Sequence, residues 1–335
     1  VDTTRFGANI GAGLIPADLD ELAGALVTAA ENGRFSLSKW GRDGMRNLTP
    51  LWLLKFLPNM LACHVTIVHD AQAPSNTITC GEASSHLAIG EAFRTIARGD
   101  ADVCICGGAE SLVCPMGLVR SQLIGRLNTQ CNDTPERALR PFGKRRAGCV
   151  VADGGGLVIL EALDHALARG VRVYAEVIGF GAGTNAHSWS QPDPQGRGIE
   201  TALRTALADA CTDASHIDMV TTVGVGTQAH DAAEATGWGR VFGDRLPHIP
   251  AVAIRGGIGD CGAGGGALDF ATTVMALYHR TVPPSLNTDD LDPACTLRFA
   301  TRRPMDADLR QAVTLGCAMA GGQNAAIVVR RYESS

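Results

Sequence analysis

Short apolar stretches that end in glycine alternate with amphipathic helical stretches along the chain, and the pattern begins again at Val171. Nothing else in the sequence restricts the fold as much. A strand, a helix and a second strand of the same direction need a crossover connection, so repeated units build largely parallel sheets with helices on both faces. In the first set, strands are predicted at 5–13, 76–79, 101–108 and just after residue 156, with helices at 16–32, from about residue 84, and up to 168. The second set has strands at 171–181, 219–225, 252–254, 314–320 and 325–331, with helices at 199–211, 231–242 and 267–279. Residues 40–47 read as a polar loop. Residues 51–67 read as an apolar core or interface helix broken by Pro58, with His64 as a hydrogen-bonded core histidine rather than a metal ligand. The restart predicts two similar, mutually dependent halves, residues 1–168 and 169–335.

The sharpest local feature lies within the first half. Asn76-Thr77-Ile78-Thr79 reads as a short strand, Cys80-Gly81-Glu82 as a turn, and Leu87, Ile89, Ala92 and Ile96 recur at helical spacing after it. A sharp strand-to-helix turn presents its central side chain to the amide groups and positive dipole end of the helix, where negative charge is favoured. The residue in that place is Glu82. Gly7, Gly11 and Gly13 form a G-x-x-x-G-x-G pattern without the acidic partner of a dinucleotide loop, so no cofactor is assigned.

Composition narrows the class further. A net charge of −5 and 5% aromatic residues argue against a nucleic-acid partner. No apolar run approaches a membrane span, and Val1-Asp2-Thr3-Thr4-Arg5 lacks the pattern of a secretory leader, which points to the cytoplasm. The 11 cysteines fall inside apolar strands and helices, as in Val103-Cys104-Ile105-Cys106, and are expected to be reduced thiols.

Several stretches carry a family resemblance. Leu54-Lys55-Phe56-Leu57-Pro58-Asn59-Met60, Gly107-Gly108-Ala109-Glu110-Ser111, Pro135-Glu136-Arg137-Ala138-Leu139-Arg140-Pro141-Phe142, Arg240-Val241-Phe242-Gly243-Asp244 and Gly321-Gly322-Gln323-Asn324-Ala325 resemble the type II β-ketoacyl-acyl-carrier-protein synthases. The resemblance runs along almost the whole chain. It implies an α/β fold of the thiolase-like kind, five layers (α/β/α/β/α) from two duplicated halves, usually dimeric. It also implies that the first strand and helices of the N-terminal half are lacking, as in a fragment or where another polypeptide supplies them. The first sheet is then expected to lose a central strand.

The family uses a cysteine at the elbow to hold the acyl chain. Two histidines, in H-G-T and K-S-M-T-G-H motifs, assist decarboxylation and stabilise the enolate and oxyanion. Carried over without gaps, the cysteine position is Glu82, H-G-T becomes Val223-Gly224-Val225, and K-S-M-T-G-H becomes Arg255-Gly256-Gly257-Ile258-Gly259-Asp260. The F-G-F-G-G segment becomes Ala318-Met319-Ala320-Gly321-Gly322. A catalytic Cys80 requires a two-residue slip against an ungapped register, so a buried structural thiol is the expectation. His86 and His230 are expected in core or solvated roles. The substrate pocket of the resemblance comprises Arg255, Ala318, Met319, Ala320, Gln323 and Asn324. Glu82 and Asp260 are expected beside Arg255, as a structural ion pair or as a repurposed acid and base. The leading expectation is a non-condensing, chain-length-factor-like partner of an active synthase and an acyl carrier protein, with a homodimer as the other assembly. The alternatives are a thioester-processing enzyme using Glu82 and Asp260, a still-active synthase with an atypical site, and a non-functional remnant.

Overall fold

The computed structural model describes residues 1–333. Ten strands account for the two main sheets: β1 (Phe6–Ala12), β2 (Asn76–Ile78), β3 (Val103–Glu110), β4 (Gly154–Glu161), β5 (Ala175–Thr184), β6 (Met219–Thr221), β7 (Pro250–Val252), β8 (Arg298–Phe299), β9 (Gln311–Cys317) and β10 (Gln323–Arg331). The first sheet has the order β2-β1-β3-β4 and the second β8-β7-β6-β9-β10-β5. In the first, β1 is parallel to both β2 and β3, while β4 runs antiparallel to β3. In the second, β6 is parallel to β7 and β9, and β10 runs antiparallel to β9. The two sheets therefore share one pairing scheme, as the restarted pattern predicts. The fold is the mixed α/β thiolase-like one.

Among the described residues nine α-helices have six residues or more: α1 (Leu19–Thr28), α2 (Leu37–Arg42), α3 (Met60–His69), α4 (Ser84–Ala97), α5 (Pro115–Leu123), α6 (Leu163–Ala168), α7 (Arg197–Asp209), α8 (Gln228–Phe242) and α9 (Gly265–His279). α4 and α9 pack on each other between the sheets, α3 lies on the outer face of β1, and α7 with α8 covers the second sheet. The largest core joins α7 and α8 to the second sheet around Leu203, Trp238, Leu246 and Leu315. A second core fills the space between the sheets, with Ile89, Cys104, Phe270 and Ile327.

Several expectations are corrected. Residues 40–47 are helical, in the end of α2 and a 3-10 turn, because the Ser36 side chain caps Lys39 and Trp40 packs on Phe35 at 5.8 Å. Residues 51–67 form a 3-10 segment (Trp52–Phe56) and then α3, separated at Pro58. Only one face of this stretch is core, where Ala62 packs with Ile10 and Ile105 and Leu61 and Val65 lie against them; Leu51, Leu53, Leu54 and Ile67 are exposed, and so is His64. α4 is buried nearly all round rather than on one face, because Ser84, Ser85, Ala88, Gly90 and Ala92 are small enough for a central layer. The place expected to lack a central strand is an edge. β5 pairs along the outer side of β10, but no described strand occupies the matching side of β4. Along that open edge Leu157 and Ile159 are 54% and 57% exposed. Among the described residues no helix is long and apolar enough to cross a membrane.

Candidate functional site

β2 ends in the turn that leads to α4. Gly81 adopts φ +54°, a conformation that side chains resist, and it swings Glu82 inward beneath the start of α4. A Cβ on Gly11 would stand 2.6 Å from the Ser84 carbonyl carbon, so glycine in β1 lets this helix start sit against the sheet. The Ser84 hydroxyl accepts from the Cys80 N–H at 2.8 Å and donates to the Gly81 carbonyl, bracing the turn from inside.

Glu82 is buried, and each carboxylate oxygen has a strong donor. Oε1 pairs with Arg126 Nη1 at 2.7 Å, and Oε2 accepts the Met319 N–H at 2.7 Å. The first contact reaches the loop after α5, the second the loop between β9 and β10. Charge-assisted bonds of this length are the stronger class. His230, in the first turn of α8, stands beside them. Its Nε2 lies 3.0 Å from the Met319 carbonyl oxygen, an acceptor only, so Nε2 carries the hydrogen and Nδ1 accepts from the Thr227 hydroxyl at 2.9 Å. Burial holds the imidazole below its usual range and keeps it neutral.

Asp260 and Arg255 lie in a second, fully buried layer. Arg255 Nη1 bonds Asp269 Oδ2 at 2.6 Å and the Val223 carbonyl at 3.0 Å, while Asp260 Oδ1 stands 3.7 Å from Arg255 Nε. Burial, and then the charge of Glu82, push the Asp260 carboxyl above its usual range; Arg255 and Arg126 oppose this. Asp260 Oδ2, Arg255 Nε and Arg255 Nη2 have no hydrogen-bond partner. Val223 is held by its backbone: its N–H and that of Gly224 donate to the two oxygens of Glu234, at 2.8 and 2.9 Å.

The expected pair is thus brought within electrostatic reach, but with two different arginines. Glu82 is paired by Arg126, and Arg255 serves Asp269 and the Val223 carbonyl. Two cavities adjoin the site. A cleft of about 820 Å³ is lined by Arg126, His230, Met319 and Ala320, with Arg140 and Arg146. An inner cavity of about 20 Å³ is lined by Val223, Ala318, Met319 and Asn324. Arg255 and Gln323 line neither cavity. Cys80, expected to be a buried thiol, is half-buried in the turn, and that burial raises its thiol pKa and leaves it a poor nucleophile. His86 is a core residue, with Nε2 2.9 Å from the Thr314 hydroxyl.

Sequence reading missed Arg126, Glu110, Glu234 and Asp269. Glu110, whose Oε2 accepts the Ala263 N–H at 2.7 Å, has its carboxyl raised to about 7 by burial and by the charges of Glu82 and Asp260. Glu234 and Asp269 carried a usable signal, a carboxylate among small and apolar residues on a helix. Arg126 carried none, because only the folded loop brings it to Glu82.

Residues 8–166 match the family described as "Beta-ketoacyl synthase, N-terminal domain", and residues 174–289 match "Beta-ketoacyl synthase, C-terminal domain". The chain is similar to the 3-oxoacyl-acyl-carrier-protein synthase 2 of Rhizobium meliloti (strain 1021), at 33% identity over 321 residues, covering 94% of this chain and 76% of that protein. It is similar in structure to the ishigamide ketosynthase/chain length factor, with a TM-score of 0.81 and 27% identity, covering 98% of this chain and 76% of that one. A type II polyketide ketosynthase, solved with its acyl-carrier protein and bound to a hexaketide, superposes with a TM-score of 0.87 over 99% of this chain and 79% of that one; at 24% identity this likeness concerns the fold alone.

Proposed function

Because the chain belongs to the β-ketoacyl synthase family, we propose that it is a non-condensing subunit of polyketide, polyene or fatty-acid assembly that pairs, as a chain-length factor does, with an active synthase. The observation that carries this reading is the elbow. Condensation needs a thiol that accepts and passes on an acyl group, and the side chain here is a carboxylate engaged at both oxygens by Arg126 and Met319. An acyl carboxylate would be an anhydride, open to hydrolysis. Val223 offers no side-chain hydrogen bond to an enolate or oxyanion, and losing one such donor typically costs about a hundred-fold or more in rate. The inner cavity of about 20 Å³ has room for about one water.

Surface chemistry supports such a partner. Leu51, Leu53, Leu54, Ile67 and Val68 are exposed on and just before α3, which packs on β1 and β2. Such a concentration of apolar side chains marks an interface. The carrier protein and a cytoplasmic setting belong to the same reading, as do residues 1–168 and 169–335 as its two halves. Co-expression with an intact synthase carrying its cysteine and histidines is expected to yield a stable 1:1 complex that condenses carrier-bound substrates, while the chain alone does not. Condensation of malonyl- and acyl-carrier protein by the purified chain alone would refute the proposal.

One observation favours a second reading, thioester hydrolysis with Glu82 and Asp260 as acid and base: their carboxylates interact, and Asp260 Oδ2 is unpartnered. Hydrolysis that survives in the Glu82→Gln/Asp260→Asn double variant would remove that reading.

A further inference from the structure

The geometry points to a carboxylate-binding hole, made by Arg126 Nη1 and the Met319 N–H, which the chain fills with its own Glu82 and which takes a short-chain monocarboxylate once that side chain is removed. This goes beyond the subunit reading and does not depend on it.

The two donors converge from parts of the chain far apart in sequence and address different oxygens of one carboxylate, each at 2.7 Å. The backbones that carry both donors are held without Glu82, while the Arg126 guanidinium itself is bonded to Glu82. The backbone of Arg126 is tied by its N–H to the Ser121 carbonyl and by its carbonyl to the Cys149 N–H, at 3.0 and 2.8 Å. On the other side His230 holds the Met319 carbonyl, and the Ala318 N–H donates to the Gln323 carbonyl at 2.8 Å. Cutting Glu82 back to its Cβ therefore leaves the Met319 N–H in place and the Arg126 guanidinium on its anchored backbone, both without their protein acceptor. An unmet buried donor, above all a charged one, is costly, and that cost is the drive for a ligand to enter.

Charge and access choose the ligand. Arg126 and Met319 both line the cleft of about 820 Å³, whose walls carry Arg126, Arg140, Arg145 and Arg146 and no acidic side chain. Anions are favoured along that path. Behind the hole, Asp260 and Glu110 already lie within electrostatic reach of Arg126, so the site compensates one further negative charge and disfavours a dianion. Acetate reproduces the atoms that Glu82→Ala deletes. In the native chain the tethered side chain competes at an effective concentration of millimolar or above, so added acetate does not displace it.

The test is thermal unfolding of Glu82→Ala over 0 to roughly 100 mM acetate at constant ionic strength, beside acetamide and chloride. The expected result is a saturable rise in Tm of about 2–3 °C with acetate, little response to acetamide, none in the native protein and none in Glu82→Ala/Arg126→Met. A flat Tm with acetate, an equal rise with acetamide, or a rise that persists without Arg126 would overturn the proposal. Should Glu82→Ala not fold alone, its refolding yield provides the same reading: a yield raised by acetate but not by acetamide supports the hole, and a yield indifferent to both overturns it. The assay contains no synthase or carrier protein, so its failure leaves the subunit reading standing.

Discussion

Arg126 and Glu82 neutralise each other where water hardly reaches, with the arginine side chain 14% exposed and the glutamate 1%. Such a pair gains little net stability, but breaking it strands one buried charge, at about 3–5 kcal/mol. Arg126→Met is expected to lower the unfolding free energy by about that much, and Glu82→Gln/Arg126→Met to recover most of it. Denaturant titrations of the two singles and the double measure the coupling; strictly additive losses would show that the two side chains are independent. Glu110 gives the site a pH dependence. Its carboxyl lies at about 7 in the folded chain against 4.5 when unperturbed. Between those values the unfolded chain has released a proton that the folded chain keeps, so this residue's contribution to stability falls as pH rises from 4.5 and levels off above 7. The loss is on the order of 3 kcal/mol. Glu110→Gln should flatten the change in denaturation midpoint between about pH 5 and 7. A residual slope of the same sign should remain, because burial likewise holds Asp231 and Asp269 up at about 7.

At the scale of elements, α8 is fastened to the end of β6 by one side chain. Glu234 accepts from the N–H groups of Val223 and Gly224 and from the Trp238 indole at 3.1 Å. Glu234→Ala leaves three buried donors unmet and should cost at least about 3 kcal/mol, read from the urea midpoint; a loss under about 1 kcal/mol would mean that other groups satisfy them. The turn before α4 depends on Gly81, and Gly81→Ala should cost about 1–2 kcal/mol for the left-handed backbone it requires. These elements also show where sequence pattern suffices. The strand, turn and helix around Glu82 were legible because glycine and helical periodicity are local signals. So was the repeat, since β1-β3-β4 and β6-β9-β10 obey one scheme. Residues 40–47 were misread because a Ser36 cap and one aromatic contact outweigh polar composition. His64 was misread because apolar periodicity alone does not tell a core helix from an uncovered one. Arg126 was invisible: its meaning arises from a contact across 44 positions of sequence.

At the scale of the molecule, the open side of β4 is the exposed backbone edge that its internal counterpart β10 does not have. In the 335-residue polypeptide taken by itself, an apolar edge of this kind invites pairing with other copies. Ile159→Lys should change stability by no more than about 0.5 kcal/mol, yet lower self-association with rising concentration in light scattering. Unchanged scattering would place the association elsewhere. The central layer has a consequence for synthesis. α4 ends at Ala97, but the elements that cover it, α9 and β10, end at His279 and Arg331. At about 5–20 residues per second, the ribosome leaves the face of that helix turned away from β1 and β3 uncovered for roughly 10–50 s. During the wait that helix shows water Leu87, Ile89, Phe93 and Ile96 set among serine, alanine and glycine. The small residues that let it fit between two sheets thus dilute, without removing, the apolar surface a half-made chain presents.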